Sequence, residues 1–175
     1  MRISRSLYPA LLVVASAPMF AAGVATPAVV GAPTASATAT ASAKIYQPIS
    51  IAKASDLNFG AMIATPTAGT VKLDPAGVRT ASGGAVLASA AGVSAASFDV
   101  AGEPNTSFAV GLPGSIQITS GANSMTVDSF TTGASAYLLD GAGASGLSVG
   151  ANLSVAANQP AGLYSGSFSV TVAYN

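Results

Sequence analysis

Apolar residues recur at every second position through most of this chain, and Gly, Pro, Asn or Asp breaks each run. A period of two is the spacing of a half-buried strand, because successive side chains of extended backbone point to opposite faces. The runs are short. Leu57, Phe59, Ala61 and Ile63 alternate; Val71 and Leu73 lead into the turn Asp74-Pro75-Ala76-Gly77. Phe98 and Val100 form one strand, and Phe108, Val110 and Leu112 form the next, ended by Pro113-Gly114. Ile116 and Ile118 follow, then Met125 and Val127, after which the phase slips at Phe130 and predicts a bulge. Leu147, Val149, Ala151, Leu153 and Val155 make a longer run. In the last run Tyr164, Gly166, Phe168, Val170, Val172 and Tyr174 alternate with Ser165, Ser167, Ser169, Thr171 and Ala173, which predicts one continuous strand with a buried and a wet face.

No segment has a helical period long enough to cross over a parallel sheet, so the expected fold is all-β, an antiparallel immunoglobulin-like β-sandwich. Thr80 to Ala96, rich in Ala, Gly and Ser, and the turn-rich Gly133 to Gly146 resist this pattern. The first admits either a short helix or an additional edge strand. With 175 residues, half of them hydrophobic but mostly small or β-branched, there is material for one domain with one core.

The chain contains no Cys, His or Trp. That removes disulfides, thiolate and histidine-based nucleophilic catalysis, and zinc-thiolate sites. From residue 38 onward Lys44, Lys53, Lys72 and Arg79 stand against Asp56, Asp74, Asp99, Glu103, Asp128 and Asp140, a net charge of −2 with no basic stripe to neutralise phosphates. A hydrolase built on two carboxylates, for instance Asp128 with Asp140, is the enzymatic alternative. Yet Asp74 precedes Pro75 and Asp140 precedes Gly141, the places where turns put aspartate. No run of the D-x-D-x-D-G kind is present, so no metal or other cofactor is expected, and the reading is not an enzyme. The sequons at Asn105 and Asn152 are assigned no function in so Ser/Thr-rich a chain.

The N-terminus has the parts of a secretory signal: Arg2 and Arg5, an apolar stretch from Ala10 to Val14 and on to Phe20, and small-residue sites downstream. Cleavage is placed after Ala37, with alternatives between residues 25 and 43, giving a signal peptide at 1–37, an extended arm at 38–46 and a β-sandwich domain at 47–175. An uncleaved membrane anchor is the competing reading, but Pro18, Pro27 and Pro33 make a poor span. In the arm, Ala39, Ala41, Ala43 and Ile45 alternate with hydroxyl residues and Lys44, consistent with an extended strand or with a flexible linker.

Two patterns carry a resemblance. Gly162 is the fourteenth residue from the C-terminus, Tyr174 is penultimate, and apolar residues alternate between them. This resembles the C-terminal signature of chaperone–usher pilins. The segments Ile49 to Gly60, Leu147 to Val155 and Gly162 to Tyr174 resemble a secreted proteobacterial domain of unknown function, family 4402, over about residues 38 to 175. The pilin resemblance implies a sandwich lacking its final strand, whose vacancy is filled first by a periplasmic chaperone and then by a neighbouring subunit's leading arm, a form of β-augmentation. It implies Ala39, Ala41, Ala43 and Ile45 as the donor arm, Gly162, Tyr164, Phe168, Val170, Val172 and Tyr174 as the assembly strand, and the Asn175 carboxylate as the chaperone's anchor. The expected function is a structural subunit of a cell-surface fimbria, exported through the periplasm, with copies of itself or related subunits, a chaperone and an outer-membrane usher as partners. The alternative is a self-contained secreted immunoglobulin-like surface or carbohydrate-binding module.

Overall fold

In the computed structural model, which describes residues 31, 33–133 and 137–175, the domain is built from antiparallel strands, and no helix occurs among the described residues. Most of the expected signal peptide at 1–37 lies outside the described residues. Ala43–Asn175 form a compact unit of their own. Thr38 to Ser42, of the preceding unit, are exposed and belong to no strand.

The spine is β10 (Ala144–Val155), twelve residues long, which contains the longer alternating run seen in the sequence. Leu147, Val149, Ala151, Leu153 and Val155 are all buried. Its first half pairs with β6 (Ala96–Ala101), and β6 pairs in turn with β1 (Ser50–Ser55). Its second half pairs with β3 (Gly69–Leu73), and β3 with β4 (Arg79–Gly83). Between Val149 and Ser154 it also pairs with β9 (Asn123–Thr132), which pairs with β8 (Ser115–Ser120). These seven strands form one sheet system. Two small ladders complete the fold: β2 (Met62–Ile63) with β5 (Val86–Leu87), and β7 (Phe108–Gly111) with β11 (Thr171–Tyr174).

The slip at Phe130 is a bulge. Thr131 faces Gly150 and Asp128 faces Asn152, so Ser129 and Phe130 together oppose a single residue, and Ser129 takes a positive φ of 51° to make room. Asp74 and Asp140 are turn residues: Oδ1 of Asp74 accepts the amides of Ala76 and Val78, and Oδ1 of Asp140 accepts those of Ala142 and Ala144. Those donors, Ala144 first, hold the Asp140 carboxyl below its usual range.

Two expectations need correction. The alternation Leu57, Phe59, Ala61, Ile63 does not stay on one face. Gly60 adopts a φ of 69°, open to glycine but strained for other residues, and the side-chain phase flips there. Phe59 is buried, but Met62 and Ala64 turn inward and Ile63 is 56% exposed. Nor is Tyr164 to Tyr174 one ladder-bonded strand: only Thr171–Tyr174 pair with β7, and Ser165 makes an isolated bridge to Thr119. The even-numbered side chains from Phe168 onward still face inward, half-buried, while the odd ones are exposed. Thr80 to Ala96 holds the end of β4 together with β5, and no helix.

The core has two clusters. One gathers Phe59, Val71, Leu73, Met125, Val127, Leu153 and Val155. The other gathers Ala96, Val100, Phe108, Leu139, Leu147 and Val149.

Candidate assembly groove

A surface groove borders the first cluster on one side, although the cluster's own members are at most 9% exposed. A groove of about 860 Å³ runs between the chain at Asp56 to Ala64 and the chain at Gln159 to Phe168, and its floor is Ile116, Ile118, Met125, Val127, Leu153 and Val155. Both walls are extended chain bonded on their outer sides. On one wall Asn58 exchanges hydrogen bonds with Ser94, Ala61 exchanges them with Ser89 and Ala88, and β2 pairs with β5. The opposite wall is tied to β8 through Ser165 and Thr119. Between the walls, no strand of the described residues is paired.

Two side-chain features hold the walls in place. Nη1 of Arg79 donates to the carbonyls of Phe59 (2.6 Å) and Ala61 (2.9 Å), and Nη2 donates to that of Ser89 (3.0 Å). A planar guanidinium can serve three carbonyls at once, so Arg79 clamps the first wall to its outer neighbour. On the second wall Gly166 lies so close to β8 that a Cβ there would stand 2.7 Å from the Gln117 carbonyl and 2.9 Å from Ile118 Cγ2. Only glycine allows that approach.

The seam between the two chain segments is open along half its length. Gly162, Tyr164 and Phe168 line the groove. Val170, Val172 and Tyr174, named with them from the sequence, lie elsewhere and pack against the second cluster together with Ile49 and Ile51. Phe168 marks the boundary, its ring 5.0 Å from that of Phe130 and 6.5 Å from that of Phe98. At the closed end the Tyr174 hydroxyl donates to the Gln47 carbonyl (2.7 Å) and accepts the Glu103 amide (2.6 Å). Glu103 then holds the root of the arm: Lys44 Nζ is 2.9 Å from one carboxylate oxygen, and the Gln47 amide donates to the other at 3.2 Å. The Tyr46 ring packs against Tyr174 at 5.7 Å with the planes tilted by 58°, and Lys44 Nζ sits 4.6 Å from the Tyr46 ring centre. Of the arm residues, Ala39, Ala41 and Ala43 are exposed, and Ile45 is 92% exposed. Arg79, Glu103 and Gln47 were not legible as site residues, because the groups each one meets are brought to it only by the folded topology.

This root carries a pH signature. The Lys44 hydrogen bond, and after it the Gln47 amide, hold the Glu103 carboxyl below its usual range. The same hydrogen bond to Glu103 holds the Lys44 ammonium above its usual range. A lowered acid favours the folded state above its ordinary value, here 4.5, and loses that contribution as pH falls through its lower folded value. A raised base favours it below its ordinary value, here 10.5, and loses it as pH rises through its higher folded value. The Gln47 amide resonance is therefore expected to titrate with an acidic midpoint below 4.5, and Glu103→Gln is expected to abolish that step. A midpoint at or above 4.5 would contradict the ion pair.

The geometry defines an all-β, antiparallel domain with an open apolar groove between its leading and closing segments. The chain belongs to the family described as Domain of unknown function (DUF4402), whose model matches residues 49–174. Comparison with curated proteins and with solved structures gave no match.

Proposed function

We propose that this protein is an exported structural subunit of a cell-surface fimbria or related assembly, an immunoglobulin-like sandwich short of one strand, which polymerises when the leading arm of another subunit enters the groove. The observation that carries this reading is the groove beside Gly162, Tyr164 and Phe168, with half-buried Met62, Ile116 and Ile118 along it and a backbone wall on each side. Such a vacancy in a sheet invites an added strand, and main-chain hydrogen bonds to both walls would supply much of the hold. Ala39, Ala41 and Ala43 bury little, each contributing on the order of 1 kcal/mol.

Lengths agree. The wall from Leu57 to Ala64 has eight residues, as does Thr38 to Ile45, and eight extended residues span about 26 Å at about 3.3 Å each. Reach favours the arm of another subunit. Gln47 is fixed at the closed end, ten residues before Leu57, so an arm folding back there would bring position 37 beside Leu57. Thr38 to Ile45 would then lie along residues 49–56, short of the wall at Leu57 to Ala64. A periplasmic chaperone that guards the groove before assembly, and an outer-membrane usher, are the partners this reading implies.

Deleting residues 38–45 from the full chain is expected to abolish high-mass assemblies in size-exclusion chromatography while leaving the far-ultraviolet circular dichroism of the domain unchanged. Assemblies that survive the deletion, or a wild-type protein that stays monomeric, would instead favour a self-contained surface module.

A further inference from the structure

The two ends of the groove differ. Its inner end is stopped by Phe168, stacked on Phe130, and beyond it by Tyr174 bonded to Gln47. At its outer end the walls finish in Ile63, 56% exposed, and Leu163, 89% exposed, with half-buried Met62 and Tyr164 beneath. Large aliphatic side chains left bare on both rims of an apolar cleft mark a surface that something covers. The arm has one bulky apolar residue, Ile45, which is 92% exposed and stands at its root end, seven positions after Thr38.

We propose that the open mouth of the groove, between Met62 to Ala64 on one rim and Leu163 to Tyr164 on the other, is the docking site for Ile45 of a second copy, with Thr38 of that copy innermost. The inference rests on the assembly reading above and adds the direction and the register. An inserted arm stays joined to its folded neighbour, and with the inner end closed by Phe168 and Tyr174 its root leaves the groove at the free end. Entering tip first, it runs parallel to Leu57–Ala64 and antiparallel to Gly162–Phe168. Eight residues then bring Ile45 to the mouth, while the small Ala39, Ala41 and Ala43 lie along the interior. The one large side chain acts as a stop that ends insertion, and the two rims lose their exposure against the incoming subunit.

The test places a photo-crosslinking benzoylphenylalanine at position 45 of the full chain, in a mixture of ¹⁴N- and ¹⁵N-labelled protein, and maps the joined peptides by mass spectrometry. Crosslinks between light and heavy copies that join position 45 to Met62–Ala64 or to Gln159–Tyr164 are expected. Crosslinks between copies that reach Leu57, Phe59 or Phe168 instead would overturn the direction while leaving strand exchange standing. The absence of any crosslink between copies would overturn both. In parallel, Ile45→Ser is expected to raise the concentration needed for assembly on the order of tenfold, and Ile45→Leu to leave it unchanged. Equal behaviour of the two variants would remove the stop.

Discussion

Replacing Leu153 with alanine is expected to lower the free energy of unfolding by about 3–4 kcal/mol, a large share of the roughly 5–15 kcal/mol available to a domain. Leu153 is 1% exposed, in the half of β10 paired on one edge to Val71 of β3 and on the other to Val127 of β9. Truncation removes transfer energy and leaves a void that strands bonded on both sides cannot close. Leu153 lies beneath the groove and is itself buried, so the loss falls on the stability of the subunit. Leu163→Ala is the internal control: at 89% exposure it should change stability by less than about 0.5 kcal/mol. Chemical denaturation of both variants checks the pair, and equal midpoints would show that the first cluster is not the core described.

The second large effect is expected at Arg79. Arg79→Ala leaves the carbonyls of Phe59, Ala61 and Ser89 without their shared donor, and the expected loss is about 3 kcal/mol, since bonds to a charged donor are each among the stronger ones. Lysine should not rescue it, because a single ammonium on a flexible stem cannot reproduce a planar fork that reaches three acceptors. Amide hydrogen exchange is the informative measurement. Protection should fall at residues 57–63 and 86–89 while β10 keeps its own, which separates a loosened wall from global unfolding. Full protection of 57–63 in Arg79→Lys would show that charge alone suffices.

How far the sequence could be read follows from which interactions are local. The buried face of β10, the bulge at Ser129 and Phe130, and the turns at Asp74 and Asp140 each rest on a few neighbouring residues, so alternation and turn chemistry reveal them. The phase flip at Gly60 was hidden because any glycine in an apolar run is compatible with an unbroken strand. The final segment misled in a different way. Its alternation runs without a break from Tyr164 to Tyr174, yet its first half borders an open groove and its second half is packed on the second cluster. That division depends on where Ile49, Ile51 and Gln47 lie, more than a hundred residues earlier in the chain. Tyr174 was noticed for its position, but not that its hydroxyl joins Gln47 to Glu103.

That bridge also decides how the molecule meets mechanical force. A pull on the chain ahead of Gln47 is carried first by the hydroxyl of Tyr174 and by Glu103, and then by the rungs joining Ser50–Ser55 to Ala96–Ala101. Drawn lengthwise, those rungs are sheared together instead of being peeled one after another. The leading tether is thus anchored to those rungs, and rupture should begin as one abrupt event at the Tyr174 end.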